Sequence, residues 1–466
     1  MRFIDAEDQD RHTSMAIASI AVFEGPPPTY DEFLIALQGR LPLVPRYRHK
    51  LRTMPWRIGP PVWVEDPGFD LRYHVRRTAV PAPGGDAELR QLMARVMAQR
   101  LDRDRPLWEY WFVEGLSGDR WALISKVHHC MVDGVSGTDL YRVVFDLTPE
   151  PSAPIVEKWE PAGEPSSARL LAGAALDTAL IPLREARALG SAVRHPRRLV
   201  GQTIDTARGV RRLATALPPA RPSSLSGPVG QQRRFTWLRA DLDDVKRVKR
   251  AFGGTVNDVI LAAITSGFRT LLLSRGEEPD PTMVPSLVPV SVRAPGEENI
   301  YENRVSALIA NLPVDVADPV ERLLAIHDRL DELKQSKEAD AGETMVALAR
   351  FVPFPIASFA TRMVMRMPQH EIVTVTTNVP GPRQPLYGLG RRLIAMIPYV
   401  PIATTLRTGV AIVSYCQDVM IGITGDYDTT GDLEVLARGI ETGIAELVAA
   451  TSPDATAALR GSPRAG

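Results

Sequence analysis

The chain has 466 residues, 44% hydrophobic and 24% charged; this is too long for one ordinary core, suggests two domains and excludes wholesale disorder. Fifty-five lysines and arginines balance 55 acidic residues, so no global basic field points to nucleic acid. Two cysteines, Cys130 and Cys416, cannot build a disulfide framework and fit a reducing cytoplasm. Met1 to Asp10 lacks the basic-then-apolar order of a secretory signal, and no run of about 18 uncharged apolar residues occurs, so no membrane span is expected.

Met15 to Phe23 suits a strand, stopped by Gly25-Pro26-Pro27-Pro28, and Tyr30 to Leu41 carries Phe33, Leu34, Leu37 and Leu41 at helical spacing. From Pro45 to His74 the chain is rich in arginine and aromatics. That stretch reads either as a strand pair with a solvated basic face or as guanidiniums placed for phosphate groups. Glu88 to Leu101 reads as a helix, and Tyr110 to Val113 as a strand. Trp108 and Trp111 read as core, with Trp108 lining an apolar channel as the sharper alternative.

The mostly apolar run Arg120 to Val127 suits a buried strand, and Ser136 with Asp139 has the spacing of a helix capping box. Between them stands Val127-His128-His129-Cys130-Met131-Val132-Asp133-Gly134. Three readings compete. One imidazole can serve as general base, taking a proton from a hydroxyl that attacks a carbonyl. Both histidines and Asp133 could bind a metal, but neighbours in extended backbone point to opposite faces and no further ligand cluster completes a site. The third reading is a pair of buried, hydrogen-bonded histidines. Cys130 beside a histidine suggests a thiol nucleophile, yet immediate neighbours diverge, which favours an inert buried thiol.

Pro149 to Pro165 has the composition of a linker, and Ser167 to Leu217 is helical and basic, with Arg194, Arg197, Arg198, Arg208, Arg211 and Arg212. This segment reads as a crossover between domains, or as a surface for anionic lipid. After a second linker, Arg233 to Trp237 is a strand candidate. Thr255 and Asp258 form another capping box, and Asn257 between them could donate to a carbonyl or oxyanion. Strands are expected over Val284 to Arg293, Val305 to Leu312 and Val373 to Asn378, with a helix over Val320 to Leu333. Phe351 to Met367 is the most lipid-suited stretch. Gly409 to Tyr415 and Val419 to Tyr427 suggest a hairpin, and Asp432 to Ala450 a closing helix.

His128-His129 with Asp133-Gly134 is the H-H-x-x-x-D-G motif of the coenzyme A-dependent acyltransferase superfamily. Arg105-Pro106-Leu107-Trp108-Glu109, Thr255-Val256-Asn257-Asp258-Val259, Val288-Pro289-Val290-Ser291-Val292-Arg293 and Asn378-Val379-Pro380-Gly381-Pro382 follow in order. Together they resemble the bacterial wax ester synthase/diacylglycerol acyltransferase family over nearly the whole chain. The resemblance implies an α/β fold of two chloramphenicol acetyltransferase-like sandwich domains joined by a helical crossover. The expected division is 1–150, 151–230 for linker and crossover, 231–452, and a disordered tail over 453–466.

The resemblance also implies direct transfer of a long-chain acyl group from fatty acyl-CoA to diacylglycerol or a long-chain alcohol. His129 would be the base, with His128, Asp133 and Gly134 completing the catalytic motif. Asp133 would pair with an arginine, for which Arg293 is the candidate, and Asn257, Asn378 and Trp108 would support the site or substrate. Acyl-CoA is then a substrate, and neither metal nor organic cofactor is needed. Expected surroundings are the cytoplasm, with a peripheral place on the inner membrane or lipid droplets, and no nucleic acid. The rivals are a condensation-type enzyme with a carrier-bound donor and a non-catalytic lipid-binding or droplet protein. His12-Thr13-Ser14-Met15 and Tyr301-Glu302-Asn303 depart from commoner family sequences and leave the acceptor open.

Overall fold

Strands whose residues alternate between two environments, interleaved with amphipathic helices, assemble here into two six-stranded sheets with helices against them. A computed structural model describes residues 12–55, 61–132, 144–172, 223–291, 305–335 and 372–452, with Ile4, Glu7, Asp8 and Asp10. The first half supplies β1 (Ala16–Glu24), α1 (Tyr30–Gln38), β2 (His49–Arg52), β3 (Val62–Glu65), α2 (Leu71–His74) and β4 (Val75–Ala79). It continues with α3 (Asp86–Ala98), β5 (Trp108–Leu116), β6 (Arg120–His128) and the single turn α4 (His129–Val132). The second half supplies β7 (Arg233–Asp241), α5 (Leu242–Phe252), α6 (Val256–Ser274), β8 (Pro285–Ser291), β9 (Val305–Asn311) and α7 (Pro319–Gln335). Last come β10 (Thr374–Val379), β11 (Tyr387–Gly388), β12 (Arg391–Tyr399), β13 (Thr408–Tyr415), β14 (Asp418–Asp426) and α8 (Leu433–Ala449).

The first sheet runs β11-β12-β1-β6-β5-β4 and the second β7-β14-β13-β10-β8-β9. The hairpin expected near the C-terminus is β13 with β14, antiparallel from Thr408 opposite Gly425 to Tyr415 opposite Asp418. One connection has no signal in the local sequence. Strand β12, from deep in the second half, pairs antiparallel with β1, placing Tyr399 opposite Ala18 and Met396 opposite Ala21. The first sheet is therefore completed by the second half of the chain. Where the sheets meet, Gly422 of β14 lies so close to β12 that a β-carbon there would sit 1.9 Å from the Pro398 carbonyl oxygen. Glycine is required by that approach rather than by its dihedrals.

Helix α6 begins where the capping box was read. The Thr255 hydroxyl accepts from the Asp258 N–H at 3.2 Å, and the Asp258 carboxylate accepts from the Thr255 N–H at 2.8 Å. By length and composition α6 could cross a membrane, but 72% of its apolar window is buried in the second core. Residues 151–166 carry no regular structure. They lie across the basic face of β2 and β3: Glu157 pairs with Arg48 at 2.6 Å, and Glu164 with Lys50 at 2.5 Å and Arg52 at 2.9 Å. The strand pair expected within 45–74 is present, and Arg48, Lys50 and Arg52 are paired with carboxylates of the same chain. The basic stretch from Arg194 to Arg212, the Phe351 to Met367 stretch and the tail after Ser452 lie outside the described residues.

Candidate active site

Strand β6 lies between β1 and β5, so its backbone is bonded on both sides up to the motif. The two motif amides continue that alternation. The His128 N–H donates to the Leu107 carbonyl at 2.9 Å, and the His129 N–H to the Met15 carbonyl at 3.1 Å. Leu107 belongs to the Arg-Pro-Leu-Trp segment, which thus holds one edge of the motif while the start of β1 holds the other. At His129 the chain turns into α4, and there the two rings part.

The His128 ring is 2% exposed, with one nitrogen hydrogen-bonded and the other facing a carboxylate. Its Nδ1 accepts the Cys130 N–H at 3.2 Å and lies 2.9 Å from the Cys130 Sγ. A nitrogen that accepts is unprotonated in the neutral ring, so the proton belongs on Nε2. That Nε2 sits 3.3 Å from a carboxylate oxygen of Glu7, at ion-pair distance but off the axis of a well-aligned hydrogen bond. Cys130 follows the chain into α4, so its thiol does reach a histidine, two residues back. The backbone N–H already occupies the nitrogen that would take the thiol proton, and the side chain is buried. His129, by contrast, is half-buried at the head of the turn.

Glu7 was not singled out in the sequence, where it sits in an acidic, aperiodic N-terminal segment. It is 4% exposed, accepts the Met15 N–H at 2.6 Å and pairs with Arg103 at 3.0 Å. Burial alone raises its pKa; contacts with His128, the Met15 N–H and Arg103 outweigh that and hold it at about 2. Lys126, two residues before the motif, is fully buried and donates to the Val96 and Gln99 carbonyls at 2.8 and 2.6 Å. It satisfies the C-terminal end of α3. Burial draws its pKa down to about 8.

Trp108 is fully buried, donates from Nε1 to the Tyr47 carbonyl at 2.8 Å and stacks on Tyr47 and His74 with centroids 4.7 and 4.5 Å away. It is packed in the core beside the motif strand. His74 bonds from Nδ1 to the Trp108 carbonyl at 2.8 Å, and burial lowers its pKa to about 4. From the second half, Asn378 at the end of β10 donates from Nδ2 to Oδ1 of Asn257 at 3.1 Å. Two residues 121 positions apart in sequence thus meet at the N-terminus of α6. Asp133, Gly134 and Arg293 lie outside the described residues. Between α3 and the start of β7 runs a cleft of about 900 Å3, lined by Arg90, Arg95, Arg233 and Arg234 against Glu434. Arg233 reaches from it to the His12 carbonyl at 2.8 Å, three residues before Met15.

The sequence profile of the wax ester synthase/diacylglycerol acyltransferase catalytic domain matches residues 1–260, and that of the WS/DGAT C-terminal domain matches 301–448. This chain belongs to that family. Among its relatives is the "Probable diacyglycerol O-acyltransferase tgs1" of Mycobacterium tuberculosis, 42% identical over 96% of this chain and 94% of that protein. A second, the "Putative diacyglycerol O-acyltransferase Rv3371" of the same organism, is 34% identical over 96% of this chain and 89% of that one. The solved wax ester synthase/diacylglycerol acyltransferase of Marinobacter aquaeolei VT8 superposes with a TM-score of 0.65 at 27% identity, covering 96% of this chain and 97% of its own. The first condensation domain of the calcium-dependent antibiotic synthetase shares the fold, with a TM-score of 0.57 at 16% identity over 97% of this chain and 95% of that one. The expected family and its chloramphenicol acetyltransferase-like, two-domain fold are thereby established.

Proposed function

We propose that this family member esterifies a lipid alcohol, diacylglycerol or a long-chain alcohol, with the acyl group of a fatty acyl-CoA, and that His129 is its base. The observation that supports the base assignment is the burial of the His128 ring, with Nδ1 bonded to the Cys130 N–H and Nε2 facing Glu7. His129, half-buried at the head of α4, is the ring we assign to proton exchange with substrate. It takes the proton of the acceptor hydroxyl as the oxygen attacks the thioester carbonyl. The tetrahedral intermediate collapses, the carbon–sulfur bond breaks, and the proton passes from His129 to the departing CoA sulfur. The products are an ester and CoA, and no acyl-enzyme forms.

The intermediate's oxygen carries negative charge and needs a donor. The Asn257 amide fits that need, because Asn378 donates to its oxygen and so directs its NH2 group elsewhere. Among the guanidiniums along the cleft between α3 and β7, the exposed Arg95 and half-buried Arg234 support an anionic donor such as CoA. CoA enters as substrate, and the reaction as written requires no metal or organic cofactor. An apolar acceptor and product suit an enzyme at a membrane or lipid-droplet surface.

The test is turnover of labelled palmitoyl-CoA by the purified protein with a diacylglycerol and a long-chain alcohol, beside folded His129→Ala. Ester from wild type but not from the variant is expected, and the better acceptor names the product class. Equal activity in the variant would remove His129 from the mechanism.

A further inference from the structure

We propose that Glu7 is the positioning residue of the motif: its carboxylate fixes the tautomer of His128 and, through Met15, the backbone of His129. This rests on the acyl-transfer reading above, and it concerns a residue outside the motif, 121 positions before His128.

The carboxylate is a buried hub. One oxygen, Oε1, accepts the Met15 N–H at 2.6 Å and lies 3.3 Å from His128 Nε2, and the other pairs with Arg103 at 3.0 Å. Met15 in turn offers its carbonyl to the His129 N–H at 3.1 Å. Glu7 therefore touches the motif twice, by the ring of one histidine and by the peptide supporting the other. A carboxylate removed from water is costly unless it is paired and hydrogen-bonded, and this one is held ionised by these partners. The arrangement also selects a proton position. With the Cys130 N–H pointing at Nδ1, only the Nε2–H ring satisfies both ends, and an acceptor-only group must face Nε2. A carboxylate meets that requirement in either rotamer. An amide does not: in Glu7→Gln the carbonyl oxygen goes either to Arg103, which leaves the NH2 group against the Met15 N–H and the ring, or to Met15 and the ring, which leaves the NH2 group against Arg103.

The role is orientation, since Glu7 is buried against the His128 ring. Loss of a group that orients a functional histidine typically costs on the order of 10–100-fold. The experiment uses the full chain, wild type and Glu7→Gln and Glu7→Asp, with selective 15N labelling of its eight histidines. His128 resonances are assigned by their loss in His128→Gln. Two-bond nitrogen–proton correlations then report which ring nitrogen carries the proton, whether or not ester is made. The expected result is an Nε2–H ring in wild type that is lost in Glu7→Gln. With it, kcat falls on the order of 10–100-fold while KM for palmitoyl-CoA changes less than about twofold. Glu7→Asp, which keeps the charge, recovers part of kcat and the wild-type tautomer. An Nδ1–H ring in wild type, or unchanged tautomer and kcat in folded Glu7→Gln, overturns the proposal. Should Glu7→Gln fail to fold, the wild-type tautomer and Glu7→Asp decide it. Absence of ester from wild type would count against the acyl-transfer reading alone, because the ring proton is still observed.

Discussion

The two sheets have equal strand counts but bury different chemistry. Around the first lie Lys126, His74, His128, Glu7, Glu109 and Arg40, each less than 10% exposed. In and behind the second, the buried polar side chains among the described residues are mostly hydroxyls, such as Thr236, Thr265, Ser286, Thr374, Thr376 and Thr408, with Arg233, Asp258, Arg322 and Asp426 as charged members. A hydroxyl is far cheaper to bury than an ion. The second half is thus a frame with ordinary helix–sheet packing, which brings one amide pair, Asn257 and Asn378, to the end of α6. The first half carries fixed charges, held by bonds that cross the sheet. Preorganised electrostatics belongs to the half with the histidines.

Substitutions separate the two roles. The largest effect is expected for His129→Ala, a loss of about 10²–10⁴-fold in kcat, or about 3–5 kcal/mol of barrier, with melting temperature near wild type. Steady-state kinetics with thermal unfolding checks it. Next comes acid stability. His74 is buried neutral with its pKa lowered from 6.5 to about 4, so the folded state resists a proton that the unfolded chain accepts. Its contribution is complete above 6.5 and lost as pH falls toward 4, on the order of 3 kcal/mol. Urea unfolding between pH 7 and 4 should show that decline. His74→Phe keeps the stack on Trp108 and should flatten the decline.

Gly422→Ala tests the contact between the sheets. Its β-carbon must move the Pro398 carbonyl, at a cost of about 2–3 kcal/mol, read as a lower urea midpoint. The smallest effect separates frame from site. Thr255→Ala removes one half of a capping box and should cost about 1 kcal/mol of stability while leaving KM for acyl-CoA unchanged. Asn257→Ala, two residues on in the same turn, should instead lower kcat by about tenfold or more. Equal kinetics in the two variants would make the second half a frame only.

Much of the fold was legible because its signals are local. Strand β6 reads from an apolar run, α3 from Leu89, Met93 and Val96 on one face, and α6 from Thr255 and Asp258 at capping distance. What stayed hidden depends on partners far along the chain. Nothing in Arg391 to Tyr399 says that its neighbour is β1. Arg48 and Arg52 looked available to phosphates because Glu157 and Glu164, which pair with them, lie in a stretch with no periodicity. Glu7 was hidden for the same reason. An acid in a polar N-terminal segment reads as solvated, and only the need of a buried histidine for an acceptor could have suggested otherwise.

The return of β12 to β1 also sets a schedule for synthesis. Ribosomes deliver about 5–20 residues per second, so the 271 residues from His128 to Tyr399 take on the order of tens of seconds. Throughout that interval the apolar edge of β1, Ala16 to Phe23, has no strand beside it and is a template for pairing with another chain. A nascent chain of this kind needs a chaperone on that edge more than on any other, and a gene fragment ending at residue 230 should give aggregates rather than a working half.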